Sequence, residues 1–348
     1  MSAEGRTMST MKIIPADDRR WFEFLAGRRD ALPYHHPGWA RTLSDTYGFE
    51  TFVLARQAAE GDVTAGIPFA AVGGGLRRKR WIALPFTDAM PPLSSNGGGG
   101  AVLAPLVEAA AKAADVSTVE IRAPFSAPVA HELTRGVGHT LALSDPDTLF
   151  ASFPSRVRRA VRKAETSGLT VRLADGARDL THVYFDLHAE TRRRLGVPTQ
   201  PRRFFEALWT HMVDPGLGFV LLAYHDSQPV AGAVFLEWHG STVYKFGASA
   251  QRFWPLRPNN LILWEAMQRA CASGSQELDF GRSDLEDEGL RAFKASWGAV
   301  ERPLVYTRLG RRTEGQGQSA ERLLRPVVRH SPIWFGRLLG EALYRFAA

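Results

Sequence analysis

The sequence predicts an α/β protein built from two copies of one domain, each a mixed β-sheet flanked by helices. Both halves contain three β-branched or aromatic segments, then a helix with 3.6-residue apolar spacing, then one further strand. The dipeptides Ala65-Gly66 and Ala231-Gly232 fall at equivalent places, about 166 residues apart. Internal similarity at this scale indicates a duplicated domain.

The predicted elements follow the same order in each half. In the first half the strands cover residues 49–56, 63–72 and 79–88, followed by a helix at 101–115 and a strand at 117–124. In the second half they cover residues 217–225, 229–238 and 242–249, followed by a helix at 259–273 and a strand at 276–283. A meander that leads through a helix to a parallel strand produces a mixed sheet.

Helical segments at residues 17–47 and 150–214 are expected to complete the two copies. The predicted boundaries are residues 1–149 for the first domain, 150–310 for the second and 311–348 for a C-terminal helical segment. This last segment is basic and amphipathic. It could make a weak contact with a membrane surface or pack against the second domain.

Composition excludes several classes of protein. The single cysteine among 348 residues rules out an internal disulfide and a zinc site of several thiolates. The ten histidines show no metal-binding spacing, so no metal site is expected. The net charge of +7 is clustered, which favours an anionic partner.

The chain shows no signal peptide and no membrane span. No apolar run follows the N-terminal charges, and no stretch of about 20 apolar residues occurs. We therefore expect a cytoplasmic protein.

The segment that joins the two halves predicts an amphipathic helix. Val157, Ala160, Val161 and Ala164 recur at helical spacing on one face. The opposite face carries a concentrated set of basic residues: Arg156, Arg158, Arg159, Arg162 and Lys163. This face could bind the phosphates of an RNA, or it could simply be solvated. The run Arg192-Arg193-Arg194 presents the same two alternatives.

The order of motifs resembles the Fem family, whose members are tandem GNAT-like proteins that transfer amino acids from aminoacyl-tRNA. The motifs are HHPGWARTLSDTYG, LPFTDAMPPL, SRVRRAVRKAETSGL, ETRRRLGVP, PVAG, DFGRSD and FKASWGA, spread over residues 34–306. The resemblance implies an aminoacyl-tRNA donor and an amine acceptor, either a small biosynthetic amine or a peptidoglycan precursor. The long helical hairpin that many Fem proteins carry has no counterpart here.

The resemblance assigns Lys294 a catalytic role. Aminolysis of an aminoacyl ester needs positioning and stabilisation of an oxyanion rather than a nucleophilic side chain. A lysine in the matching Phe-Lys position of Fem enzymes is implicated in stabilising that oxyanion, which points to Lys294 with Phe293 beside it at the substrate. The alternative is a surface lysine on a helix.

Further site residues are predicted from strand ends. Asp279 could hold the acceptor ammonium or relay its proton, or could form a turn. Arg282 could bind a substrate carboxylate or phosphate, or pair with Asp284 or Glu286.

Two more residues are assigned to substrate binding. Asp88 is the first-domain counterpart of Asp279 at a strand end. Tyr244 lies on the central strand of the second half, where it alternates with Lys245, so at most one of the two lines a cleft.

No cofactor is expected. The turn at residues 251–260 has no glycine, and Pro255 and Pro258 remove donors that a coenzyme A pyrophosphate would need. The glycine-rich residues 96–100 could cradle a phosphate or form a mobile loop.

The favoured function is therefore an aminoacyl-tRNA-dependent transferase that forms an amide bond. The alternatives are an acyl-CoA-dependent N-acyltransferase and a non-catalytic module for envelope or polysaccharide assembly.

Overall fold

The structure is a computed structural model that describes residues 10–74, 77–128, 130–310 and 324–344. The chain divides into two compact units. The first comprises Met1–Arg135 with Leu304–Arg312, and the second comprises Gly136–Pro303 with Thr313–Ala347.

The first unit is a mixed sheet with three α-helices in its described part. Its strands are β1 (Thr10–Pro15), β2 (Glu50–Gln57), β3 (Val63–Gly74), β4 (Arg77–Ile82), β5 (Leu93–Ser94) and β6 (Thr118–Ile121). Its helices are α1 (Arg19–Ala26), α2 (Pro37–Tyr47) and α3 (Gly99–Ala113), with a 3₁₀ turn at Pro33–His35. The sheet order is β1-β2-β3-β4-β6-β13, where β13 is Val300–Gly310, and β5 pairs with β3. The pair β4–β6 is parallel and the others are antiparallel.

The second unit has more helices around a sheet of the same plan. Its strands are β7 (Ala130–Ala142), β8 (Leu169–Leu173), β9 (Gly218–His225), β10 (Gln228–Trp238), β11 (Ser241–Ser249) and β12 (Glu277–Ser283). The helices are α4 (Pro146–Ser152), α5 (Ser155–Glu165), α6 (Phe185–Leu195), α7 (Arg202–Leu208), α8 (Pro258–Ala272), α9 (Glu288–Ala295), α10 (residues 324–330) and α11 (Ile333–Leu343). π-helical turns cover Asp179–Tyr184 and Trp209–Val213, and a 3₁₀ helix covers Gln251–Leu256.

The strands of the two units follow one order, which confirms the predicted tandem α/β fold. The second sheet runs β8-β9-β10-β11-β12-β7, and only its pair β11–β12 is parallel. This is the order of the first sheet, element by element. The last strand of each sheet, however, follows the other copy in the chain. β13 follows β12 and pairs with β6, whereas β7 follows β6 and pairs with β12.

The helical expectation for residues 150–214 is wrong in part. β8 interrupts it and pairs with β9 as the outer strand of the sheet. β1, β7 and β13 were also not expected from the sequence. Their residues are largely exposed or half-buried, so the alternation typical of a buried strand is weak.

Helix α5 forms as predicted because its apolar stripe is buried. Val157, Val161 and Ala164 lie in a core with Phe153 and with Leu261 of α8. Burying one such side chain stabilises the fold by about 1.5–3 kcal/mol, so the basic face of this helix must point away from the core.

The C-terminal segment packs against the second unit, which is the second of the two predicted alternatives. A side chain at Gly340 would lie 1.7 Å from the main-chain oxygen of Thr199, so α11 approaches closely through its glycine face. Arg337 pairs with Asp186 at 2.8 Å. Residues 311–323 and 345–348 of the segment lie outside the described residues. None of the helices in the described ranges is long and apolar enough to cross a membrane.

Candidate functional site

An opening lies where the two parallel strands of the second unit part. β11 and β12 are paired only as far as Val243 and Asp279, although β11 continues to Ser249 and β12 to Ser283. Both strands are irregular immediately beyond that point. Lys245 is an extra residue opposite β10, and the register between β12 and β7 shifts between Asp279 and Arg282. Ligands of α/β sheets bind at the carboxyl ends of parallel strands, so this opening is the candidate site.

The Asp279 side chain shapes the irregular turn of β12. Its carboxylate accepts the main-chain N–H of Gly281 at 2.8 Å. Gly281 has φ of +71°, a left-handed conformation that costs a residue with a Cβ roughly 1–2 kcal/mol. The turn-forming role considered for Asp279 is therefore present in the structure.

Lys294 lies at the same turn and is buried. It sits near the end of α9, and only 3% of its surface is exposed. Its ammonium donates to the main-chain oxygens of Gly281 at 2.8 Å and of Arg282 at 3.0 Å. The alternative of a surface lysine is wrong, because α9 turns this residue inward onto the β12 turn.

A buried histidine that the sequence analysis did not single out lies beside Lys294. His139 on β7 is fully buried and sits between Gly138 and Thr140, which pair with Arg282 and Asp279 respectively. Burial lowers the pKa of His139, and the neighbouring Lys294 charge lowers it further. A lone histidine in a strand gives no sequence signal for this neighbourhood.

His139 connects to a charged pair. Its Nε2 lies 3.0 Å from Oε2 of Glu301. Arg291, on α9, donates to both carboxylate oxygens of Glu301 at 2.9 Å. This carboxylate therefore links β13, α9 and His139.

Phe293 and Tyr244 lie against the core of the second unit. Both are partly buried and pack on its apolar cluster. Burial raises the pKa of the Tyr244 phenol to about 12, so its hydroxyl stays uncharged at neutral pH. A side chain at Gly247 would lie 1.7 Å from that hydroxyl, so this glycine makes room for Tyr244. Lys245 places its ammonium 5.1 Å from the ring centre of Phe246.

Arg282 and Asp88 have other surroundings. Arg282 is exposed and pairs with Asp284 at 2.6 Å, which is the ion pair considered from the sequence. Asp88 belongs to the first unit, where it is half-buried, and its main-chain oxygen accepts the hydroxyl of Tyr306 at 3.0 Å.

The basic face of α5 is accessible. Arg156, Arg159, Arg162 and Lys163 are exposed, and Arg158 is half-buried. Arg162 also rests 5.8 Å from the ring centre of Phe150. The helix therefore offers a stripe of cations to an anionic partner.

In the second basic run, residues 192–194, two of the three arginines make hydrogen bonds within the protein. Arg192 donates to the main-chain oxygen of Pro198 at 3.0 Å and to the Tyr344 hydroxyl at 2.5 Å. Arg194 donates to the main-chain oxygen of Ser249 at 3.0 Å. A cavity of about 480 Å³ adjoins this run, lined by Glu190, Arg193, Arg194, Gln251 and Arg329.

The two loops considered for phosphate binding differ in structure. The loop after β11 is a 3₁₀ helix, and α8 begins at Pro258, which has no N–H to donate. Gly97 and Gly98 have φ of +73° and +62°, and a side chain at Gly99 would lie 2.5 Å from the Pro92 oxygen. The loop backbone itself therefore accounts for these three glycines.

Comparison with known proteins places most of the second unit in one family. Residues 151–294 match the acetyltransferase (GNAT) domain family. The chain therefore contains a GNAT acetyltransferase-type domain. Its fold is similar to that of FemX, with a TM-score of 0.69 and 16% identity over 86% of this chain and 96% of that one.

Two further solved structures share the fold. One is the C-terminal domain of a protein named as a lysylphosphatidylglycerol synthetase from Agrobacterium fabrum, with a TM-score of 0.55 and 13% identity over 89% of this chain and 95% of that one. The other is a tandem GNAT protein from the clavulanic acid biosynthesis pathway, with a TM-score of 0.54 and 14% identity over 88% of this chain and 100% of that one. A search of curated proteins found no match.

The described residues hold no evident metal centre. No group of three or more His, Cys, Asp or Glu side chains among them is placed to bind an ion.

Proposed function

We propose that this GNAT-superfamily protein is an aminoacyl-tRNA-dependent transferase that forms an amide bond on an amine acceptor. The observation that carries the proposal is the buried Lys294 ammonium, fixed by two main-chain oxygens where β11 and β12 part. A fixed cation at the carboxyl end of a sheet suits a reaction that develops negative charge on a carbonyl oxygen. The fold shared with FemX agrees with this chemistry.

The reaction needs few groups from the protein. The acceptor amine attacks the ester carbonyl, a C–N bond forms and the carbonyl oxygen becomes an oxyanion. Collapse breaks the C–O bond to the ribose, and that oxygen takes the proton lost by the amine. In our proposal Lys294 stabilises the oxyanion, while Asp279 holds the acceptor ammonium before it loses a proton.

The remaining assignments complete the proposal. We further assign Phe293, Tyr244, Arg282 and Asp88 to substrate binding. The basic face of α5 binds tRNA phosphates without reading sequence. The acceptor is a small biosynthetic amine or a peptidoglycan precursor, and the reaction takes place in the cytoplasm, where charged tRNA is available.

An acyl-CoA donor is the second candidate, because the matched domain is named for acetyl transfer. The loop after β11 argues against it in this unit. Arg257 adopts a left-handed conformation with φ of +65°, and Pro258 supplies no N–H at the start of α8. A pyrophosphate bound there would lack the usual main-chain donors.

The test is transfer of radiolabelled amino acid from a pool of charged tRNA to a panel of amines, run beside acetyl-CoA. We expect product only with charged tRNA, and we expect Lys294→Met to lower kcat by about 10²–10³-fold. Lys112→Met is the matched control, since Lys112 is exposed on α3, and it should leave kcat unchanged.

Two results would contradict the proposal. Consumption of acetyl-CoA alone would make the protein an acyl-CoA-dependent enzyme. No transfer from either donor, with biological activity retained by Lys294→Met, would identify a non-catalytic module.

A further inference from the structure

The proposed mechanism assigns no role to His139, yet the environment of this histidine is unusual. The side chain is fully buried on β7, and neither ring nitrogen has a hydrogen-bond partner among the described residues, although Nε2 lies 3.0 Å from Oε2 of Glu301. Buried polar atoms in proteins are nearly always paired, so an exception calls for an explanation.

The strand register places His139 opposite the turn that holds Lys294. Its neighbours Gly138 and Thr140 pair with Arg282 and Asp279, so His139 faces Phe280 and Gly281 across the ladder. The Gly281 oxygen is one of the two acceptors of the Lys294 ammonium. A movement of His139 would therefore be transmitted to the group that orients Lys294.

Charged groups on two elements act on His139: Lys294 and Arg291 on α9, and Glu301 on β13. On the paired strand β12, the charged residues Asp279 and Arg282 lie opposite its neighbours Thr140 and Gly138. Glu301 lies 3.0 Å from Nε2 and is itself held by Arg291 through two bonds of 2.9 Å. The carboxylate favours a proton on Nε2, whereas the two cations of α9 oppose a second proton on the ring.

We propose that His139 is a positioning residue for Lys294, and that the site works only while the His139 ring is uncharged. Protonation of His139 would place an imidazolium beside the buried Lys294 ammonium. Two like charges in a buried site repel each other, so Lys294 would leave its two main-chain acceptors. Acid would thus switch the site off. This inference rests on the proposed role of Lys294.

The neutral ring is required, so activity falls as pH drops through the His139 pKa. Removal of the Glu301 charge lowers that pKa, because Glu301 favours the protonated ring. Removal of the Arg291 charge raises it, because Arg291 disfavours that form.

The experiment is the pH profile of kcat for the full-length protein and three variants, all with the same acceptor amine. Glu301→Gln should move the acidic limb to lower pH, and Arg291→Gln should move it to higher pH. His330→Gln, an exposed histidine on α10, is the control and should not move it. Because the acceptor is the same in each assay, its own titration cancels. If kcat falls at the same acidic pH in all four proteins, the inference is overturned.

A second variant tests positioning directly. His139→Gln should lower kcat by about 10–100-fold at pH 8, with the KM for the donor unchanged within about twofold. His139→Gln should also abolish the acidic fall in kcat, which is the feature that Glu301→Gln and Arg291→Gln shift in pH. An unchanged kcat in a folded His139→Gln protein would overturn the positioning role.

An NMR titration separates failure of the inference from failure of the proposed function. In the full-length protein, Lys294→Met should raise the pKa of His139, because it removes a neighbouring cation. An unchanged His139 pKa would overturn the inference without any assay of activity. If charged tRNA gives no product but acetyl-CoA does, the proposed donor is wrong, and the same pH profiles are measured with acetyl-CoA.

Discussion

Single residues at the β12 turn determine where the ammonium of Lys294 lies. Asp279 fixes the N–H of Gly281, and the left-handed Gly281 turns two successive main-chain oxygens toward Lys294. The Asp-Phe-Gly-Arg sequence is therefore a structural device as well as a set of candidate site residues. Its effect depends on one glycine having the right conformation.

Gly281→Ala tests that dependence. A Cβ in the left-handed region should lower the free energy of unfolding by about 1–2 kcal/mol. It should lower kcat as well, because the Gly281 oxygen would no longer point at Lys294. Gly281→Asn should recover part of both losses, since asparagine tolerates this conformation. Urea unfolding and kcat are the measurements. Gly176→Ala, with open space around the added Cβ, is the control. Equal effects of the two alanine variants would contradict the prediction.

Buried histidines predict how stability depends on pH. Burial lowers the pKa of His35 to about 4 and that of His188 to about 3. Below the ordinary value of about 6.5 the unfolded chain therefore binds protons that the folded chain does not. The free energy of unfolding should fall as pH drops from 7 to 5, by at most about 1.4 kcal/mol per pH unit for each group. His188→Gln should make the slope shallower in urea titrations at several pH values. An unchanged slope of the free energy of unfolding against pH in this variant would contradict the prediction.

At the scale of elements, α5 shows how one helix can serve both the fold and a partner. Its apolar residues pack on α8, and its exposed cations follow from that packing rather than from any contact of their own. Such a stripe binds polyanions through the release of counterions, and this makes binding depend on salt.

Replacement of Arg159, Arg162 and Lys163 by alanine should weaken tRNA binding. The slope of log affinity against log salt should become shallower by about 2–3, because three phosphate contacts are lost. The control variant replaces Arg19, Arg41 and Lys112, which lie in the first unit, by alanine and changes the net charge by the same amount. Its slope of log affinity against log salt should match that of the unchanged protein. Filter binding at several salt concentrations measures both. Equal slopes for the two triple variants would show that only net charge matters.

At the scale of the whole molecule, each sheet is completed by a strand from a distant part of the chain. β13 pairs with β6, and Thr307 donates to the Ala123 oxygen at 2.8 Å from a fully buried position. Arg308 pairs with Glu120 at 2.8 Å across the same two strands. A first copy without β13 would expose the paired edge of β6 to solvent.

Residues 1–149 alone should therefore fold poorly or aggregate. Fusion of residues 300–312 to that fragment through a flexible linker should restore a cooperative unfolding transition, because the edge of β6 is paired again. Circular dichroism and size-exclusion chromatography distinguish the two fragments. A monomeric, cooperatively folded fragment 1–149 would contradict the prediction.

The sequence by itself determined the repeated element order. The strands β2, β3, β9, β10 and β11 and the helices α3 and α8 lie where apolar and β-branched patterns predict them. These segments are buried, and buried positions require apolar side chains, so their periodic pattern is visible in the sequence. The strands β1, β7, β8 and β13 carry weaker patterns, and only the tertiary structure identified them.

The site divides in the same way. The sequence singled out Lys294, Asp279 and Gly281 because a motif holds them close together in the chain. Only the tertiary structure showed that Lys294 is buried, and only it brought His139 and Glu301 to the same turn. These two residues are 162 positions apart in the numbering, and strand pairing and packing bring them together through contacts that no local pattern records.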